Sequence, residues 1–363
     1  MKSRREFVRN TTLAAAAALT GCKPESSYKV PKIKDDKVFE WKVVTTWPPN
    51  FPVLGEAVVK MAEEIALLSN NRLKIKVFGA GELVQALEVF DAVTLGAAQM
   101  GHGTPYYWSG KMPATIFFVA VPFGFNAQQM NAWMFYGGGL ELWQELYGKV
   151  GLTVFPCGNT GVQMGGWFNK EINTPNDLKG LKMRIPGMGG KVIASAGGAA
   201  VTIAGGEIYT SLERGVVDAA EWIGPYHDYI LGLHRVAKFY YYPGWQEPGS
   251  NLELMINKKA FEELPEDLKN IVKTVALKYH LTILAEFEAK NNFYLQKLLS
   301  EGAQLRAFPH EVLELLKQKS EEVLREIVQK DEFSKRVFES MEKFKKDIKQ
   351  WNKISELAVV NYL

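Results

Sequence analysis

The sequence predicts an α/β protein of two lobes that ends in long helices. Three observations carry this. From Val38 to about residue 260, short β-rich apolar runs alternate with segments of helical spacing. That is the pattern of parallel βαβ units buried on both faces. After Pro265 strands vanish, and Lys, Glu and apolar residues recur at three- and four-residue spacing, which is helical. The 363 residues, 47% of them apolar, suffice for two lobes of ordinary size with ample core.

The elements follow in order. Val38 to Trp47 alternates and is β-rich, a strand that Pro48 and Pro49 end. Leu54 to Leu68 has helical spacing. Leu73 to Phe78 is the next strand, closed by Gly79-Ala80-Gly81, and Val84 to Leu95 reads as helix. Phe117 to Val121 reads as a short buried strand, and Gln128 to Tyr147 as a helix ended by Gly148. Leu152 to Phe155, Gly165 to Asn169 and Leu181 to Ile185 read as strands, the last stopped by Pro186. Val192 to Ala196 continues as helix, and Val217 to Trp222 reads as strand or strand edge. Leu252 to Ile256 alternates as a strand, and Pro265 opens a helix.

Residues 1–21 stand apart. Arg4-Arg5 ahead of Phe7-Val8 fits the twin-arginine export pattern. The apolar stretch Leu13 to Leu19 falls short of the roughly 20 residues that span a bilayer, so it reads as the core of a signal peptide. It runs into Leu19-Thr20-Gly21-Cys22, a lipobox pattern that would leave Cys22 as the lipidated first residue. A plain signal peptide with an incidental cysteine is the alternative. Residues 22–37, with Pro24, Ser26, Ser27, Pro31 and several lysines, read as a polar tether. Lys2, Arg4, Arg5 and Arg9 against Glu6 account for the whole chain's net charge of +3. The mature chain is therefore about neutral, and offers no electrostatic case for nucleic acid.

Signs of catalysis are absent. Gly187-Met188-Gly189-Gly190-Lys191 fails as a phosphate loop, because Val192 stands where a metal-binding Ser or Thr is needed. These glycines read as a tight turn ahead of a helix. His102, His227, His234, His280 and His310 show no metal-ligand spacing, and His102 reads as a surface or satisfied core histidine. Beyond Cys22 only Cys157 remains, a small apolar residue with no neighbouring base.

What stands out is a set of polar residues beside aromatic ones at strand ends: Gln163 with Trp167, Arg184, Glu221 with Trp222, and Glu247 after Trp245. Ligands of α/β lobes sit outside the carboxyl ends of strands. The fork of Arg184 suits a carboxylate held bidentately, with a structural ion pair as the alternative.

The run Asp177-Leu178-Lys179-Gly180-Leu181-Lys182-Met183-Arg184-Ile185-Pro186-Gly187 resembles the signature of the solute-binding proteins of tripartite ATP-independent periplasmic (TRAP) transporters. Gly215-Val216-Val217-Asp218-Ala219-Ala220-Glu221-Trp222 extends the resemblance, as does Tyr240-Tyr241-Tyr242-Pro243-Gly244-Trp245-Gln246-Glu247. These two segments are similar to the branch that binds 2-oxoacids such as pyruvate with a cation.

The resemblance implies a hinged two-lobe periplasmic binding protein, not an enzyme. Arg184 would take the substrate carboxylate, and Gln163, Glu221, the Trp222 carbonyl and Glu247 would hold a cation. Glu247 would also reach the ligand, Trp222 would wall the pocket, and Tyr106 or Tyr107 would reach in from the other lobe. Electrostatics point the same way, since one arginine cannot neutralise two glutamates and an anionic ligand in a water-poor cleft. Hard oxygen ligands indicate Na⁺ or Ca²⁺.

The implied layout is lobe I at 38–160 and 248–290, lobe II at 161–247 and 291–330, and a C-terminal helix at 331–363. That tail carries Val337, Met341, Phe344, Ile348, Trp351, Ile354 and Leu357 on one stripe. The stripe suggests a homodimer, or a brace across the molecule's own lobes. The membrane subunits of the transporter are the implied partners. The competing readings are a lactate or C4-dicarboxylate receptor, an exported enzyme using Glu221 and Glu247, and a structural assembly protein.

Overall fold

The computed structural model describes residues 37–360 and Tyr362. The expected export signal at 1–21, the lipobox at Cys22 and all of the 22–37 tether except Lys37 lie outside the described residues. The strands are β1 (Phe39–Thr45), β2 (Leu73–Phe78), β3 (Met100–Gly103), β4 (Leu152–Asn159), β5 (Gly166–Phe168), β6 (Lys182–Arg184), β7 (Ala199–Val201), β8 (Ala219–Ala220), β9 (Phe239–Tyr242), β10 (Asn251–Asn257) and β11 (Gln304–Ala307).

They form two sheets, one per lobe. The first is ordered β2-β1-β3-β10-β4 and the second β11-β9-β5-β8-β6-β7. β1 runs parallel to β2 and β3, as alternating strand and helix require. β10 then returns from far along the chain and inserts antiparallel between β3 and β4. In the second sheet β6 is parallel to β7 and β8, while β5 is antiparallel to β8 and β9. Both sheets are therefore mixed, where a run of parallel units was expected.

The chain passes between sheets after β4, after β9 and again after β10. The 35-residue helix Glu266–Ser300, about 52 Å long at 1.5 Å per residue, packs on β4 of the first sheet and on the helix Pro225–Leu231 beside the second. Its buried residues run from Leu268 to Leu298, so it joins both cores. The helix Leu54–Leu68 and β2 match their expected bounds.

Other elements differ, for local reasons. Phe117 to Val121 is not a strand. It ends a buried 3₁₀ segment, Pro113–Phe118, opened by a proline at its first position. A short apolar run between prolines cannot be told from a strand by periodicity. The expected helix over Gln128 to Tyr147 is two, Ala127–Tyr136 and Gly139–Gly148, broken at Gly138 with φ +88°. β3 went unforeseen because Met100-Gly101-His102-Gly103 lacks β-formers. It is a fully buried central strand whose glycines admit close neighbours. A Cβ on Gly101 would lie 2.9 Å from Val89 and Val93, and one on Gly103 2.8 Å from Thr46. The C-terminal third is not purely helical either, because β11 pairs with β9 at the sheet edge.

The last long helix, Glu332–Ile354, changes character along its length. Phe333, Val337 and Met341 are buried in the first lobe's core. Phe344 packs edge-on against Phe125, and Trp133 Nε1 donates to Ser340 Oγ at 3.1 Å. From Trp351 onward the stripe faces solvent, with Trp351 66%, Ile354 67% and Leu357 60% exposed. The stripe is thus divided, its first half serving the chain's own core.

Candidate functional site

Strand register gathers the site. Arg184 ends β6 and pairs with Ala220, the last residue of the parallel neighbour β8. Arg184 and Glu221 therefore leave adjacent strands at the same end. Gln163 precedes β5 and Glu247 follows β9, and β5 runs antiparallel to both β8 and β9. Those flanks must arrive at that same end, outside the carboxyl ends of β6 and β8. Backbone bonds stitch the loops together there, Gln163 N to Glu247 O at 3.1 Å and Met164 N to Ile223 O at 2.9 Å.

Gln163, Arg184, Glu221, Trp222 and Glu247 are all buried. Arg184 Nε donates to the Ile203 carbonyl at 3.0 Å. Its Nη1 donates to the Glu221 carbonyl at 2.6 Å and to Glu221 Oε2 at 3.3 Å. Nη2 has only a long contact, 3.5 Å, with the Tyr107 hydroxyl. Nη2 is thus the least engaged of the guanidinium nitrogens. A full fork onto a carboxylate would require Nη1 to leave Glu221.

Gln163 Nε2 donates to Glu247 Oε2 at 2.8 Å and to Thr160 Oγ1 at 3.1 Å, and the Ser250 hydroxyl also donates to Glu247 Oε2. Burial, and then the charge of Glu247, push the Glu221 carboxyl well up despite Arg184. Burial likewise pushes Glu247 up. Two glutamates in one dry site thus resist ionisation together.

Several polar atoms at this strand end are buried without a partner: Gln163 Oε1, Glu221 Oε1, Gln246 Oε1 and the Trp222 indole N–H. Each such orphan costs about 1–3 kcal/mol. Gln246, Thr160 and Ser250 were not singled out in the sequence. Gln246 falls within the quoted Tyr240-to-Glu247 segment but was given no role, no motif marks Thr160 or Ser250, and all three meet the others through the loops that the antiparallel strands bring together.

The donor set suits a hard cation. Gln163 Oε1 and Glu221 Oε1 are oxygen acceptors that no donor satisfies, on residues tied to the two carboxylates. Among the described residues no group of three His, Cys, Asp or Glu side chains is arranged for a metal. The oxygens gathered here are carboxylate, amide and carbonyl, the preference of sodium or calcium.

Aromatic residues close the site. The Trp222 ring lies 5.3 Å from the Arg184 guanidinium carbon and meets Trp47 and Phe51 edge-on, each at 6.2 Å. A Cβ on Gly205 would strike the Trp222 ring at 2.5 Å, so glycine is required for this packing. From the first lobe, the segment Pro105–Trp108 after β3 carries both expected tyrosines to the site. Tyr107 meets Arg184, and Tyr106 packs on Gly187, where a Cβ would lie 3.1 Å from its ring. Beside Ile203 a cavity of about 720 Å³ lies between the lobes, lined by Thr46, Pro48 and Ala86 on one side and Thr202, Ile203 and Ala204 on the other.

His102 is a core residue. Its Nδ1 accepts from Trp47 Nε1 at 2.8 Å, which leaves Nε2 to donate to the Cys157 carbonyl at 2.8 Å. Burial holds it neutral, its pKa pushed down to about 4. Burial pushes the Cys157 thiol up to about 12, so it is inert.

Two lobes joined by crossing segments, with a buried arginine and paired glutamates gathered at the carboxyl ends of the second lobe's strands, are the arrangement of a solute-binding protein. The chain belongs to the family described as bacterial extracellular solute-binding protein, family 7, whose model matches residues 43–331. It is 42% identical to the monocarboxylate 2-oxoacid-binding periplasmic protein of Nostoc sp., over 99% of this chain and 98% of that one. It resembles the TRAP periplasmic solute-binding protein of Colwellia psychrerythraea, solved with calcium and pyruvate, with a TM-score of 0.87 and 42% identity, covering 90% of this chain and 100% of that one. The corresponding protein of Pseudoalteromonas atlantica, solved with sodium and pyruvate, gives 0.87 and 41% over the same shares. The family is one of periplasmic solute receptors rather than enzymes, as the arginine motif implied.

Proposed function

We propose that this chain captures a 2-oxo monocarboxylate of pyruvate size together with Na⁺ or Ca²⁺ and delivers it to the membrane subunits of a TRAP transporter. One observation carries the reading: the buried, unpartnered Gln163 Oε1 and Glu221 Oε1 stand in the same cluster as the available Nη2 of Arg184. The cluster offers an anion a donor and a cation its acceptors. The relatives that hold pyruvate with calcium or sodium support the same pairing.

In this reading Arg184 binds the ligand carboxylate through Nη2. Gln163, Glu221, the Trp222 carbonyl and Glu247 hold the cation, which offsets the negative charge of the glutamates and the ligand. Ser250 and Thr160 fix the carboxylate and amide. Trp222 shields the site, and Tyr106 and Tyr107 come with the first lobe when the molecule closes. Lobe I takes in 38–160 and 248–290, and lobe II 161–247 and 291–330. Native mass spectrometry of gently purified protein tests the ligand. A copurified mass of a small 2-oxo acid plus a cation is expected, and a bound dicarboxylate, sugar or amine would replace the reading.

Two finer features belong to the same proposal. Export by the twin-arginine route and lipidation at Cys22 would hold the receptor at a membrane. Intact mass of the mature protein shows a diacylglyceryl increment in that case, and an unmodified Cys22 contradicts it. The exposed Trp351, Ile354 and Leu357 form the contact of a homodimer, since burying such a patch between two copies is the commonest solution.

A further inference from the structure

Two threonines of the first lobe stand at the carboxyl ends of its parallel strands. Thr46 follows β1 and Thr104 follows β3, and β1 and β3 are neighbours with Thr45 opposite His102. Each is 2% exposed. The hydroxyl of each is buried with no hydrogen-bond partner. A lone orphan hydroxyl is an accident of packing, but two on adjacent strands at the ligand end are a pattern.

The conformation of Thr104 sharpens this. It caps the 3₁₀ segment Pro105–Trp108, where a threonine ordinarily turns its hydroxyl to a backbone N–H. Here it makes no such bond, so the hydroxyl is left for something else. Thr46 has a close neighbour in Gly103, whose lack of a Cβ leaves room for its side chain, and it lines the cavity between the lobes. Across that cavity is Ile203, whose carbonyl takes Arg184 Nε. Thr46 also precedes Trp47, which meets Trp222, and Thr104 lies three residues ahead of Tyr107, which meets Arg184. Thr46 borders the cavity from the lobe opposite Arg184, and Thr104 ends the neighbouring strand just ahead of the segment that carries Tyr107.

A donor count on the ligand side leaves a place for them. A 2-oxo monocarboxylate carries three oxygens, all acceptors. Arg184 has Nε and Nη1 committed to Ile203 and Glu221, leaving Nη2. The second lobe's arginine alone cannot satisfy such a ligand.

We infer that Thr46 and Thr104 are specificity-determining residues of the first lobe, their hydroxyls donating to ligand oxygens when the lobes close. The inference rests on the 2-oxoacid reading. Capture begins on the second lobe, at Arg184 and the cation. The threonines register whether the captured molecule presents acceptors to the first lobe, so they control closure.

The test uses the full mature protein, with pyruvate titrated by calorimetry in the presence of calcium. Thr46→Val and Thr104→Val keep the side-chain shape and remove the hydroxyl. Each should weaken pyruvate binding by about 10-fold or more, the loss expected for a hydrogen bond to a charged group. Thr46→Ser and Thr104→Ser keep the hydroxyl and should stay within about threefold of the parent. The ligand-free valine variants should melt no lower than the parent, since a buried orphan is removed, while their pyruvate-induced rise in melting temperature shrinks. Valine variants that bind like the parent overturn the inference, as do serine variants that lose affinity. A parent protein that binds no pyruvate sinks the 2-oxoacid reading instead, which separates the two failures.

Discussion

Arg184 reaches Glu221 twice, its Nη1 donating to the backbone carbonyl at 2.6 Å and to side-chain Oε2 at 3.3 Å. One guanidinium nitrogen thus fixes both the loop after β8 and the carboxylate proposed to hold the cation. Removing Arg184 leaves a buried glutamate beside a second one, and breaking such a buried pair costs about 3–5 kcal/mol. Arg184→Ala should lower carboxylate affinity on the order of 100-fold or more. Arg184→Lys should fail as well, because a point charge cannot serve Ile203, Glu221 and a ligand together. Calorimetry on variants shown folded by circular dichroism decides, and near-parental affinity in either removes Arg184 from the site.

Glu221→Gln keeps the side chain's size and removes its charge. The proposed cation then loses one of its two carboxylates, while Glu247 loses a repelling neighbour. Calcium should no longer strengthen pyruvate binding, and the ligand-free variant should be at least as stable as the parent. A variant with the parent's full calcium dependence would place the cation elsewhere.

Glu253 gives a pH prediction away from the proposed ligand and cation residues. Its carboxylate on β10 accepts from Trp108 Nε1 at 2.5 Å and Tyr147 OH at 2.6 Å. Burial nonetheless pushes its pKa from 4.5 up to about 7. Between those values the folded state keeps a proton that the unfolded chain has lost, so stability falls as pH rises through that window and levels off above it. Glu253→Gln mimics the protonated acid and escapes this loss. Its stability relative to the parent should grow by on the order of 3 kcal/mol from about pH 4.5 to about pH 7.5. Urea melts along that range measure the difference, and parallel curves would contradict it.

The C-terminal helix must be cut in the right place. Removal from Asp331 onward would strip Val337 and Met341 from the first lobe's core. A stop after Lys349 removes only the exposed part, with Trp351, Ile354 and Leu357. Sedimentation at micromolar concentration should show a dimer for the full tail and a monomer for the shortened one, with unchanged melting at low concentration. A full-length monomer contradicts the dimer, and a dimer that survives the cut moves the interface.

Much of the candidate site was legible in the sequence because its parts sit in short runs. Arg184 is the last residue of a strand that Pro186 stops, and Glu221-Trp222 follows a two-residue strand. Glu247 meets Gln163 through strand order rather than proximity in sequence, and only the family resemblance joined them. Of the first lobe's share only Tyr106 and Tyr107 were named, through the resemblance, and the rest stayed hidden for a plainer reason. β3 is built from Met100-Gly101-His102-Gly103, residues chosen for close packing rather than β-propensity, so the strand that delivers Thr104, Tyr106 and Tyr107 gave no signal. The hydroxyls of Thr46 and Thr104 look ordinary in sequence, and burial without a partner is visible only in three dimensions. β10 is similar, since nothing local announces that it will insert antiparallel between β3 and β4.

One site is proposed to take a 2-oxo monocarboxylate and a cation as a pair. The most direct measurement is a calorimetric titration of pyruvate into protein stripped of metal by chelation and exchanged out of sodium, repeated after calcium is restored. A single saturable site is expected with calcium present, and an affinity weaker by at least about 10-fold without it. Equal affinity in the two titrations, or no binding in either by folded protein, would contradict the pairing.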